Sequence, residues 1–157
     1  MTRLNVGDPA PELILASTHG PLSLADELEA CEKGVIVYFY PKASTPGCTK
    51  EACDFRDSLA SLQAHGYRVV GVSPDPMPAL EKFAQKQDLT FPLASDTEHV
   101  VMQAWGTWGE KKNYGRIVTG TIRSTIVVAK DGTVALAQYG IKATGHVARL
   151  RKELGLD

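Results

Sequence analysis

The sequence predicts an α/β domain with a central mixed β-sheet flanked by helices on both faces. Three observations carry that expectation. Residues 35–40, a continuous apolar run, and 67–72, largely apolar, read as strands covered on both sides. Between them Cys48, Ala52, Phe55, Leu59 and Leu62 recur at alternating four- and three-residue steps, a helical stripe closed by Gly66, so the segment reads as a parallel βαβ unit. Further on, Lys130-Asp131-Gly132 joins the strand-like segments 122–129 and 133–139, and its Asp-Gly pair signals an antiparallel hairpin.

The remaining elements follow in order. Residues 13–16 read as a short strand and 23–28 as a helical turn or two. Asp75-Pro76 offers an N-cap and a first-turn proline to a helix carrying Leu80, Phe83 and Ala84. A short strand is expected at 91–94. Thr97 is placed to cap a helix that uses Val100, Val101, Ala104 and Trp105, and a last helix at 144–154 buries Val147, Leu150 and Leu154. There is no internal repeat, low-complexity tract or linker, so residues 1–157 are expected to form one domain.

Seventeen Lys and Arg against eighteen Asp and Glu leave a formal charge of −1, which suggests neither a nucleic-acid footprint nor an anionic membrane surface. The longest apolar run, 35–40, is far too short to span a bilayer, and the N-terminus lacks the apolar core of a signal peptide. A cytoplasmic protein is expected. In that reducing compartment three cysteines, at 31, 48 and 53, suit redox chemistry better than structural bridges. The four histidines show no ligand spacing and no Gly-rich nucleotide motif follows a strand, so no metal or organic cofactor is expected.

Cys48 stands where nucleophilic sulfur chemistry is most easily arranged, in the first turn of the helix that follows strand 35–40. Unpartnered backbone N–H groups and the positive helix end both favour an anionic sulfur there. An ordinary cysteine, titrating near pH 8.5, is only about 3% thiolate at pH 7, and making one about 90% thiolate takes about 3.4 kcal/mol. A helix end supplies about 0.3–1 kcal/mol, whereas a cation about 4 Å away in partly buried surroundings supplies about 4. A cation from a distant segment is therefore required. Arg123, at the start of the apolar run 122–129, is the candidate; read from the residues alone, it is equally a solvated edge-strand arginine. Thr45-Pro46 is a good N-cap and first-turn pair, and the Thr45 hydroxyl could also meet a bound oxygen. Pro41 ends the strand or shields the sulfur. Glu51 is either a surface carboxylate of the first turn or an orienter of Thr45 or of an arginine.

The string from Tyr40 through Pro41, Thr45, Cys48 and Cys53 to Asp57 resembles the active-site segment of peroxiredoxins, with their Pro-x-x-x-Thr-x-x-Cys pattern at Pro41, Thr45 and Cys48. It is most similar to the bacterioferritin comigratory protein, or PrxQ, subfamily. Further matches lie at Gly7-Asp-Pro-Ala-Pro, Phe91-Pro-Leu-Ala-Ser-Asp96, Trp108-Gly-Glu-Lys-Lys-Asn-Tyr-Gly115 and Ile122-Arg-Ser-Thr125. The resemblance implies a thioredoxin-like fold and a thiol peroxidase acting on hydrogen peroxide and organic hydroperoxides. Cys48 would be the peroxidatic cysteine, with Pro41, Thr45, Gly47 and Arg123 forming the peroxide pocket and Glu51 supporting it.

The resemblance also implies that Cys53 resolves the Cys48 sulfenic acid as an intramolecular disulfide, recycled by thioredoxin or a similar dithiol. In an intact helix two residues five apart have Cα atoms about 8.6 Å apart, beyond the roughly 4.4–6.8 Å of a disulfide, so the first turns would have to unwind. The subfamily's other resolving position, on the next helix, is occupied here by Phe83-Ala84-Gln85, and Cys31 matches no family position. A monomer is expected. Two alternatives stand beside this reading: a non-enzymatic redox sensor with the same reactive cysteine, and a one-cysteine peroxidase served by an external thiol. A dithiol oxidoreductase would need Cys-x-x-Cys, which the sequence lacks.

Overall fold

A computed structural model describes residues 3–156; residues 1, 2 and 157, the ends of the expected 1–157 domain, lie outside the described residues. In chain order the elements are β1 (Ile14–Ser17), β2 (Gly20–Ser23), α1 (Leu24–Ala30), β3 (Gly34–Phe39), α2 (Pro46–Ala64), β4 (Tyr67–Ser73), α3 (Met77–Lys86), β5 (Leu93–Ser95), α4 (Val100–Ala104), β6 (Trp108–Asn113), β7 (Arg116–Thr121), β8 (Ser124–Ala129), β9 (Val134–Tyr139) and α5 (His146–Glu153). Seven strands form one sheet in the order β2-β1-β5-β4-β3-β8-β9. The pairs β3–β4 and β4–β5 are parallel and the others antiparallel, so the sheet is mixed.

Strand β3 lies inside the sheet, between β4 and β8, and every one of its residues is buried. Alternate side chains serve opposite faces. Ile36 and Tyr38 join Ala52, Phe55, Leu59 and Leu62 of α2, Leu80 and Phe83 of α3 and Val147 and Leu150 of α5. Val35, Val37 and Phe39 join Leu24 of α1 and Val101 and Met102 of α4 on the other side. Helices thus cover both faces, and the face beneath α2 carries an aromatic column in which Phe55 stacks on Tyr38 at 4.5 Å between ring centroids.

Several expectations change in detail. The capping assignments move because other groups take these roles. At α3 the residue in the N-cap position is Pro76, not Asp75; the Asp75 carboxylate instead accepts from Ala43 N–H at 2.7 Å and from the Ser73 hydroxyl at 2.8 Å. At α4 His99, in the left-handed region, occupies the N-cap position expected for Thr97, and Asp96 accepts from the N–H groups of Val101 and Met102. The last helix begins at His146, after a left-handed Gly145, and Leu154 is its C-cap residue. Strand β2 and the β6–β7 hairpin are absent from the sequence reading. The hairpin forms a separate two-stranded sheet whose turn, Tyr114-Gly115, has φ of 53° and 78°, the doubly left-handed geometry of a type I′ connection.

Candidate functional site

Residues 40–45, between β3 and α2, fold against Asp75, whose carboxylate holds the Ala43 amide. Ser44 has φ of 66°, an uncommon backbone state for a residue with a Cβ, and stands between the Ala43–Asp75 and Thr45–Lys42 hydrogen bonds. This turn sets the entry of α2. Thr45 occupies the N-cap position with extended backbone and Pro46 starts the helix, as the residue types favour, but the Thr45 side chain makes no capping bond. Its hydroxyl donates to Lys42 O at 2.8 Å instead. The first helical hydrogen bond runs from Thr49 N–H to Thr45 O at 2.8 Å, which leaves the amides of Gly47 and Cys48 without an intrahelical acceptor.

Cys48 lies on the inward stripe of α2 and is 1% exposed. Its sulfur is met by Arg123, whose Nη2 stands 3.3 Å from Sγ while Nη1 stands 2.6 Å from Glu51 Oε1. The guanidinium therefore bridges the thiol and the carboxylate. Arg123 arrives from 75 residues along the chain because the hairpin ends at Thr121 and the strand beside β3 begins at Ser124. It lies in the link between the two, not inside the strand as expected. That link is fixed on both sides of Arg123: Ile122 N–H donates to Thr107 O at 2.7 Å, and Arg123 O accepts from Ile141 N–H at 3.0 Å. Gly47 sits beside the guanidinium, and a Cβ there would stand 3.5 Å from Nη2, ordinary contact rather than a clash.

Glu51 is fully buried, and its second oxygen, Oε2, has no hydrogen-bond partner among the described residues. Of the readings open for it, the structure places it against Arg123, not at the surface or against Thr45. Burial raises its pKa to about 7, outweighing the Arg123 guanidinium, which lowers it. Arg123 in turn loses hydration, but Glu51 and Cys48 more than offset that loss and hold it more firmly protonated than usual. Charge count explains the arrangement. With Glu51 protonated, the guanidinium faces Cys48 Sγ with no anion beside it to compete; with Glu51 ionised, the carboxylate competes for the same cation.

Two side chains near this centre lie outside the sequence reading. Lys111, on β6, donates to Thr121 O at 2.6 Å and is partly buried; burial, then Arg123, lowers its pKa, while Cys48 opposes the shift. His146 is buried at the start of α5, its Nε2 2.8 Å from the Thr125 hydroxyl, and burial followed by the charges of Arg149 and Arg123 lowers its pKa to about 4. A signal for Lys111 was present in the Asn113-Tyr-Gly turn, which closes the hairpin that carries it. His146 follows Gly145 at a helix start and carried no comparable signal.

Pro41 is partly buried in the turn just beyond β3. Cys53 is not brought to Cys48. Both lie within the unbroken helix α2, and the Cys53 thiol points to α3, donating to Gln87 Oε1 at 3.4 Å. All three cysteines are free. Cys31 belongs to the opposite face of the sheet, where its thiol donates to Leu28 O at 3.1 Å. Among the described residues no three His, Cys, Asp or Glu side chains gather as a metal site, and no helix is long and apolar enough to cross a membrane.

Chemically, a buried sulfur at a helix start, with a guanidinium at hydrogen-bond distance and free amides beside it, can be held as an anion and can stabilise charge developing on an attacked group. Comparison with known proteins agrees with that chemistry. Residues 6–137 match the model of the AhpC/TSA family. Peroxiredoxin Bcp of Bacillus subtilis is 38% identical over 151 residues, covering 96% of this chain and 95% of that one. A provisionally named peroxiredoxin of Mycobacterium tuberculosis is 54% identical over 156 residues, 99% of this chain and 98% of its own. Among solved structures, peroxiredoxin Q of Xanthomonas campestris superposes with a TM-score of 0.84 at 33% identity, over 97% of this chain and 95% of that chain.

Proposed function

The chain belongs to the AhpC/TSA family, among its Bcp and PrxQ peroxiredoxins, and from that premise we propose a peroxidase cycle that starts at Cys48, is resolved by Cys53 and is recycled by thioredoxin or a similar dithiol. Thiol peroxidase activity is the property of that group. The observation that carries the assignment to Cys48 is the 3.3 Å approach of Arg123 Nη2 to a sulfur sealed in the first turn of α2. In the first step the thiolate attacks one oxygen of the hydroperoxide along the O–O axis. The S–O bond forms, the O–O bond breaks, and the leaving oxygen departs as water or an alcohol once protonated, leaving a sulfenic acid. Arg123 and the free amides of Gly47 and Cys48 stabilise charge on both oxygens, and the Thr45 hydroxyl, already donating to Lys42 O, offers its lone pairs to the O–H of the substrate. Bcp of Xanthomonas campestris is described with alkyl peroxide reduction activity, which supports organic hydroperoxides as substrates here.

In the second step Cys53 attacks the oxidised Cys48. Because both lie in one helix, α2 must unwind from Pro46 at least to Cys53 for the sulfurs to meet. The unwound disulfide state then presents its bond to the external dithiol. We also assign the enzyme to the cytoplasm, a reading supported by three unpaired thiols, and to the monomeric state, which light scattering tests. Peroxide consumption coupled to thioredoxin, its reductase and NADPH tests the cycle. The parent should turn over continuously, Cys48→Ser should be inactive, and Cys53→Ser should oxidise once and stop. Full turnover by Cys53→Ser with an added monothiol but not with thioredoxin would favour the one-cysteine alternative. A parent that oxidises once and stops would favour the sensor.

A further inference from the structure

We propose that Arg56 is a positioning residue for the second chemical step, stabilising the Cys53 sulfur as a thiolate while it attacks oxidised Cys48. The proposal rests on the assignment of Cys53 as the resolving cysteine. Cys53 and Arg56 are three apart on α2 and so share one face of the helix. Both reach the same residue. The Cys53 thiol donates to Gln87 Oε1 at 3.4 Å, and Arg56 Nη1 donates to the Gln87 backbone carbonyl at 2.8 Å. Gln87 is the C-cap of α3, an element that the unwinding of α2 does not involve.

This shared anchor decides what remains in place when the helix opens. Phe55 is fully buried and stacked on Tyr38, and Arg56 is tied to α3, so these two neighbours resist unwinding. Cys53 lies two residues upstream of that boundary. Opening α2 from Pro46 to Cys53 therefore frees Cys53 while leaving the guanidinium fixed in what becomes the first turn of a shortened helix. In the closed state the hydrogen bond to Gln87 needs a protonated sulfur. In the open state that bond is gone, and the fixed cation remains beside the attacking group.

The charged groups about Cys53 are few. On α2 Lys50 pairs with Asp54 at 2.7 Å, and Arg56 pairs through Nε with Asp57 at 3.0 Å; beyond α3, Asp88 acts on Arg56. Arg56 is held more firmly protonated first by its hydrogen bond to Asp57 and next by the charge of Cys53, consistent with their proximity. In the step itself the Cys53 thiolate supplies the electron pair of the new S–S bond. The S–O bond of the sulfenic acid breaks, and hydroxide leaves and is protonated to water. Cys48 is reduced and Cys53 oxidised by the same amount.

The test compares the full-length parent with Arg56→Gln and Arg56→Lys, each reduced and then challenged with rising hydrogen peroxide. Mass spectrometry reads the ratio of Cys48 sulfinic acid to Cys48–Cys53 disulfide, which measures overoxidation against resolution. Acid-quenched time courses over a pH series read the two steps separately. Arg56→Gln should raise the ratio about fivefold and move the pH midpoint of resolution upward, with the first oxidation unchanged. Arg56→Lys should restore most of the parent behaviour. A ratio and midpoint equal to the parent's in Arg56→Gln, or a first step slowed as much as the second, overturns the role of Arg56. If the parent itself forms no Cys48–Cys53 disulfide, the resolving assignment fails and the role of Arg56 falls with it.

Discussion

Replacing Glu51 by glutamine tests the electrostatics of the site through stability rather than activity. In the folded protein burial raises the Glu51 pKa from 4.5 to about 7. The folded state therefore holds a proton that the unfolded chain releases over that interval. For a raised carboxyl the stabilisation is fully present below pH 4.5 and is lost as pH rises through about 7. Between pH 5 and pH 8 this single group should cost the parent about 2.5 kcal/mol of unfolding free energy. Glutamine keeps an acceptor for Arg123 Nη1 and does not titrate, so Glu51→Gln should not show that loss. Urea unfolding of both proteins at the two pH values gives four free energies, and the parent's drop should exceed the variant's by about 2.5 kcal/mol. Parallel changes in the two proteins, or a parent that gains on the variant as pH rises, would refute the argument that burial outweighs the guanidinium at Glu51.

Two further outcomes follow from the same geometry. Phe55→Ala removes the ring that stacks on Tyr38 and should cost about 3–5 kcal/mol in chemical unfolding; it should also extend the unwinding of α2, seen as faster amide exchange beyond Cys53. Thr45→Val keeps the shape of the turn but removes the hydroxyl, and should lower the second-order rate of Cys48 oxidation about fivefold while leaving alkylation of Cys48 unchanged, because the hydroxyl bonds to Lys42 O and not to the sulfur.

Much of the fold was legible because burial writes a period into the chain. Strand β3 is apolar on both faces, β4 is apolar from Val69 to Val72, and α2 carries a continuous stripe, so the βαβ unit that positions Cys48 is legible in the sequence. The β6–β7 hairpin could not be read that way. Its strands contain Glu110, Lys111 and Lys112 and project from the main sheet, so no two-residue apolar alternation marks them; only the Asn113-Tyr-Gly turn did. The capping reading for Asp75 failed because sequence proximity favours the nearest helix, whereas its carboxylate is taken by the Ala43 amide 32 residues away; at α4 the neighbouring Asp96 carboxylate, not Thr97, meets the first amides. The site shows the same division. That Cys48 needs a cation followed from arithmetic on thiol ionisation, but residue types alone left Arg123 between two readings until the family resemblance weighted one. Glu51 did carry a signal of burial: it stands three residues after Cys48 and four before Phe55, on the buried stripe itself.

Cys48 owes its reactivity to the Arg123 guanidinium 3.3 Å from its sulfur. The decisive comparison is the rate of Cys48 alkylation at neutral pH in a protein whose Cys31 and Cys53 are serine, with and without Arg123→Met. Loss of this hydrogen bond should slow alkylation about tenfold or more. Equal rates in the two proteins would show that Arg123 does not activate the sulfur.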